Sequence, residues 1–283
     1  MGRRYTQWTL ELINRRLAEG RGQGEGPSYV PWLLVQDFPS RGRVHRIIGC
    51  KTGRIHHLLS DLERNVFLHY QWPHSSKDQR EQFPLLPLEE TIEIAKEIGV
   101  RHPADPITKC PIVMTTDLVL TIETVRATSI RPFTVKYSKD LQNFRTREKL
   151  EIERRYWAAS PRNAVLKILT EKQISVAFIK NTLWVLPNFW LTDLHPLTAH
   201  DVNRIALTLT QLMLGEKLST RGMAQRCDRL LRLEAGTSLA VVRHLLAKRF
   251  WEVDMSTLIR TNEPLNLLNA AALTQTSTRR LYA

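Results

Sequence analysis

Two strand-like runs near the middle of the chain limit what it can fold into: VMTTDLVL, from Val113 to Leu120, and RPFTVKYSKD, from Arg131 to Asp140. In the second, Phe133, Val135 and Tyr137 alternate with Thr134 and Lys136, the period-two pattern of a strand. One reading is a half-buried strand with a wet face. A second is that Asp117 on the first run and the Thr134/Lys136 pair on the second share a chemical task.

The flanking segments place these strands in an α/β order. Leu10, Ile13 and Leu17 fall on one helical stripe, and Gly20 is a stop signal. A glycine-rich loop follows. The run RGRVHRIIGCKTGRIHH reads as a hairpin around KTG, carrying Arg41, Arg43, Arg46, Lys51 and Arg54. That face would lie on phosphates or form a solvated edge. A helix over LLSDLERNVFLHYQW, a strand ending at Pro84 and a helix from about Leu88 to Ile98 come next. Strands follow at about Ile112 to Ile122, Ile130 to Tyr137 and Asn163 to Leu169. The helix TREKLEIERRYW lies between the last two, with Leu150, Glu153 and Trp157 on one face.

Composition shifts near residue 170, where TLWVLPNFWLTDLHPLTAHD is aromatic and punctuated by proline. The expected domains are 1–169 and 170–283. In the second, three helical patterns (about Ala199 to Leu214, Thr220 to Glu234 and Leu239 to Lys248) precede a strand-like FWEVDM, the order of a winged helix-turn-helix. Arg243 and Lys248 on the third helix would then reach DNA; the alternative is a small helical domain whose basic residues face water.

Charge and cysteine usage narrow the function classes. With 41 Lys and Arg against 28 Asp and Glu, the chain carries a net +13 spread along its length. That fits a polyanionic partner, nucleic acid rather than membrane. Three distant cysteines form no C-x-x-C pair, which argues against a zinc site or disulfide framework and for a reducing compartment. No apolar run approaches a membrane span, and the N-terminus lacks a signal-peptide core.

Phosphodiester hydrolysis needs an activated water and charge relief on the phosphate and the leaving oxygen. Carboxylates from separate elements can hold magnesium for this, and a nearby lysine stabilises negative charge or activates water. Glu63, Asp117, Thr134 and Lys136 stand in an order that meets those needs, and Val135 can offer its backbone carbonyl. Glu63 also has a structural reading, because Ser60 and Glu63 have capping-box spacing. His56 and His57 are weaker candidates, as structural or phosphate-contacting residues.

The blocks KTGRIHHLLSDLE, REQFPLLP, MTTD, VK and KLEIERRYW, together with the long glycine-rich block before them, cover nearly all of residues 18–157 in order. They resemble the TnsA family, endonuclease subunits of heteromeric cut-and-paste transposases. The resemblance implies a restriction-endonuclease-like catalytic domain that cuts the 5′ strands at transposon ends, while a TnsB-like transposase cuts and joins the 3′ strands. It implies Mg²⁺ or Mn²⁺ at Glu63 and Asp117, Lys136 as catalytic lysine and Glu153 in support. It also implies a C-terminal domain that engages DNA and a TnsC-like AAA+ ATPase, in a bacterial, cytoplasmic and nucleoid-associated protein. Thr134 departs from the family pattern, which often carries glutamine there. Two rivals stay open: a non-catalytic adaptor bridging DNA and an ATPase, and a stand-alone nuclease of the same fold.

Overall fold

The first helix starts where Thr9 Oγ1 accepts a hydrogen bond from the Leu12 amide, and Leu10–Ala18 (α1) follows. Its inward stripe is Leu12, Ile13 and Arg16, while Leu10 is exposed, so the expected stripe is turned by about a quarter turn. Leu12 and Ile13 pack with Trp8, Trp32 and Val113. The computed structural model describes residues 7–37, 42–72, 76–125, 127–215 and 217–270. The chain divides into two compact units, 1–174 and 175–283.

In the first unit, His45–Ile48 (β1) and Ile55–Leu58 (β2) form the antiparallel hairpin read from the KTG turn. Gly49 is required there, since a Cβ would stand 2.5 Å from His56 Nε2. Asp61–Gln71 (α2) is capped by Ser60. Then come Ser76–Pro84 (β3), Leu88–Glu97 (α3), Thr115–Glu123 (β4), Thr128–Val135 (β5), Phe144–Ala158 (α4) and Lys167–Leu169 (β6). The sheet runs β3-β4-β5-β6, with β3, β4 and β5 antiparallel and β6 parallel to β5.

Helices α3 and α4 cover this sheet: Ile94, Ala95, Ile152, Tyr156 and Trp157 pack with Leu85 and Val119. Phe133, Thr134 and Val135 are all buried, so the C-terminal half of β5 has no wet face, while its first four residues are exposed. A strand covered on both sides reads as a buried run rather than an alternating one. Tyr137 does not face the core as expected; it lies past the strand and is 40% exposed. Lys136 also lies just past the end of β5, with its amide bonded to the Leu169 carbonyl at 3.0 Å.

The second unit opens with Val176–Val185 (α5), capped by Ser175. Much of the aromatic stretch that read as a boundary lies inside this unit, as the end of α5 and two short 3-10 turns. Ala199–Gly215 (α6), Thr220–Leu231 (α7) and Thr237–Ala247 (α8) follow, and then Trp251–Val253 (β7) pairs antiparallel with Leu267–Ala270 (β8). Val202, Ile205, Leu209, Met223, Cys227, Val241, Leu245 and Trp251 are buried core residues of this unit. Cys50, Cys110 and Cys227 are free thiols. Among the described residues no helix is long and apolar enough to cross a membrane.

Candidate active site

The alternation of β4 and β5 brings Asp117 beside the end of β5. Asp117 Oδ2 accepts from the Val135 amide at 2.7 Å and from Lys136 Nζ at 2.8 Å. Lys136 Nζ also donates to the Val135 carbonyl at 2.9 Å. The ammonium therefore stands between the two oxygens that the sequence nominated as metal ligands. Burial alone would lower the Lys136 pKa, but the contact with Asp117 outweighs it and drives the pKa above the ordinary lysine value. At neutral pH Lys136 is a firm cation.

Glu63 is at once a cap and a neighbour of this pair. Its amide donates to Ser60 Oγ at 3.1 Å, and its carboxylate reaches back to accept from the Leu59 amide at 2.9 Å and Ser60 Oγ at 3.1 Å. The capping reading thus holds as geometry, with Leu59 as the backbone donor. Gln82 Nε2 adds a fourth contact at 3.2 Å. Burial first, and then the charge of Asp117, push Glu63 up to about 7.

Glu153 rises from α4 beneath the same site, buried to 4% exposure. Trp157 Nε1 donates to Thr116 Oγ1 at 2.8 Å, and Thr116 Oγ1 donates to Glu153 Oε1 at 2.7 Å. Thr134 Oγ1 lies 3.1 Å from Glu153 Oε2 and 3.2 Å from Asp117 Oδ2. The Thr134 hydroxyl is in donor reach of both carboxylates. Burial and then the charge of Asp117 push Glu153 up to about 7. Thr134 is thus engaged as a link between the two acids.

A cleft of about 500 Å³ opens on Asp117, Thr134, Lys136 and Glu153. Sequence reasoning missed its outer wall, which includes Trp8, Asn143, Thr146 and Lys149. Thr146 and Lys149 precede Leu150 and Glu153 at helical spacing on α4, and that spacing was the available signal.

The site suits a hard divalent cation. Its donors are all oxygens, from Glu63, Asp117 and the Val135 carbonyl. Burial first, and then the charge of Asp117, raise Glu63, and a cation beside it would offset both. Among the described residues no group of three or more His, Cys, Asp or Glu is placed to hold a metal ion.

The predicted basic contacts separate. Arg41 lies outside the described residues. Arg43 is 80% exposed with only a 3.3 Å pair to Asp61, and Arg46 is exposed with one bond to Gln36. Arg54 must be withdrawn as a DNA contact: its guanidinium lies 2.6 and 2.8 Å from the buried Glu81. Lys51 Nζ is bound to the Ser76 carbonyl. Arg243 donates to the Trp184 carbonyl at 2.6 Å, and Lys248 sits 4.2 Å over the Phe189 ring. These two charges dock α8 inside its own unit, a correction to the DNA reading of the third helix. His56 is likewise structural, bonded to Glu81 and Thr52 on β2 rather than in a helix.

Two family models match this chain, one described as the TnsA-like endonuclease N terminal over residues 74–171 and one as the TnsA endonuclease C terminal over residues 173–255. Together with the mixed α/β fold, they place the chain among the DNA endonucleases. The Transposon Tn7 transposition protein TnsA of Escherichia coli is 39% identical over 279 residues, covering 94% of each chain. The chain belongs to the TnsA endonuclease family and is an endonuclease subunit of a transposase. An endonuclease of this family works with a divalent metal ion.

Proposed function

We propose that the first unit is a restriction-endonuclease-like catalytic domain that cuts the 5′ strands at transposon ends by Mg²⁺-dependent hydrolysis, with Mn²⁺ as a substitute. The observation that carries this reading is the meeting of Asp117, Lys136 and the Val135 carbonyl within hydrogen-bond distance. Glu63, Asp117 and the Val135 carbonyl would hold the ion, which supplies an activated water and charge relief on the phosphate. Asp117 is aimed by the Val135 amide and by Thr134, and Thr134 is aimed by Glu153. Lys136, held protonated, serves as a charge stabiliser for the phosphate rather than as a proton acceptor. Glu63 is kept in place by Ser60, Leu59 and Gln82.

On this reading a TnsB-like transposase handles the 3′ strands and a TnsC-like AAA+ ATPase regulates the assembly. The second unit is winged-helix-like, with α6, α7 and α8 followed by the β7/β8 hairpin. The protein works in the bacterial cytoplasm, associated with the nucleoid. Arg43 and Arg46 remain the hairpin residues available to phosphates.

The experiment replaces Asp117 with alanine in the chain assembled with its partners. Strand scission at the 5′ ends should disappear while folding and DNA association persist. Undiminished cutting would remove Asp117 from the site; absence of metal-dependent nicking in the wild-type assembly would favour the adaptor rival.

A further inference from the structure

The second unit has a cationic face, and it is not on the helix that the winged-helix pattern nominates. Helix α8 is buried nearly all round: Ser238, Val241, Val242, His244, Leu245, Leu246 and Ala247 are all covered. A helix apolar on every side is a core element and has no face to lay in a groove. Helix α7 is the opposite case. Thr220, Met223, Ala224, Cys227 and Asp228 turn inward, and Arg221, Gln225 and Arg229 stand exposed at i, i+4 and i+8 on one stripe. Arg232, exposed, closes the helix in a left-handed conformation at φ 54°.

This stripe carries no counter-charge of its own. The only acid on α7, Asp228, is buried and accepts from the Gly236 and Ser238 amides at 2.8 Å each, fastening the start of α8. Arg229 and Arg232 have no anionic partner among the described residues. Arg221 reaches only Thr261 Oγ1, at 3.4 Å.

We propose that the exposed face of α7 binds the phosphate backbone of duplex DNA, through Arg221, Arg229 and Arg232, without reading its sequence. From Arg221 to Arg229 the helix rises about 12 Å, which sets two exposed charges a little over two turns apart, with Arg232 just beyond. Duplex DNA presents one charge for about every 1.7 Å of axis, so arginines spaced this way meet phosphates wherever they land. An acidic protein surface is the other polyanion of suitable size. Protein interfaces are anchored by Trp, Tyr and Arg seated in desolvated pockets; the α7 stripe carries no aromatic residue and its arginines stand in solvent. The inference rests on the DNA-cutting family and not on the metal site of the first unit.

The test uses the full-length chain and a fluorescent random-sequence duplex in chelator, so that binding is read without cutting and apart from Asp117 and Lys136. Anisotropy titrations over a range of salt concentrations give the slope of log K against log salt. Replacing Arg221, Arg229 and Arg232 with glutamine should flatten that slope by about 0.9 for each arginine removed. The triple lysine variant should keep the wild-type slope, and thermal melts should show all three proteins folded. An unchanged slope in a folded glutamine variant overturns the inference. So does a variant that binds DNA as the wild type does but no longer associates with an acidic partner protein.

Discussion

At the residue scale, two buried carboxylates behave in opposite ways, and the difference lies in their partners. Burial raises Glu81, but hydrogen bonds from Arg54 and His56 overcome it and hold the group at about 2. A depressed folded-state pKa stabilises the protein above the ordinary glutamate range. That stability is lost as pH falls from about 4.5 toward 2. Replacing Glu81 with glutamine leaves Arg54 buried without a counter-ion and should destabilise by about 3–5 kcal/mol in urea unfolding. Glu153 has hydroxyl donors but no cation in direct contact, and it is raised to about 7. For a raised acid the unfolded state ionises first, so metal-free protein loses stability as pH rises from 4.5 through 7. Glu153→Gln removes that ionisation and keeps a donor for Thr134. The melting temperature of the variant should gain on the wild type between pH 5 and pH 8. An equal difference at both values would show that Glu153 is ionised already.

At the element scale, the start of α2 joins stability to the candidate site. Ser60 caps the helix and also donates to the Glu63 carboxylate. Ser60→Ala should cost about 1 kcal/mol in stability, measured by denaturant unfolding. It should also weaken Mg²⁺ binding followed by calorimetry, because Glu63 loses one of its fixing bonds. The sequence expressed the cap of this element well: the spacing of Ser60 and Glu63 raised the capping reading, and the geometry contains its contacts in both directions. It expressed β5 less well. Phe133, Val135 and Tyr137 alternate as a half-wet strand does, yet the residue between the first two is buried, because Thr134 bonds to Asp117 and Glu153 from two other elements. No period within one segment can report a cover supplied by others. The same limit explains α8, whose Arg243 and Lys248 look free in the sequence and are docked on Trp184 and Phe189 in the fold.

At the scale of the whole molecule, a net charge of +13 outlasts every internal pair described here. The chain should copurify with nucleic acid at low salt and release it at high salt, read from the ratio of absorbance at 260 and 280 nm. Absence of that salt dependence would place the excess charge in a purely structural role. What the sequence by itself determined is the α/β order of the first unit, the basic character of the chain and the short set of acids and lysine around β4 and β5. Those follow from local periodicity, composition and motif order, which one strand of text contains in full. Only the tertiary structure decided which cations are available. Arg54, Lys51, Arg243 and Lys248 are bound within the fold, whereas Arg229 and Arg232 have no anionic partner among the described residues and Arg221 meets only a hydroxyl, because a charge is free or engaged according to what the rest of the chain brings within about 4 Å of it.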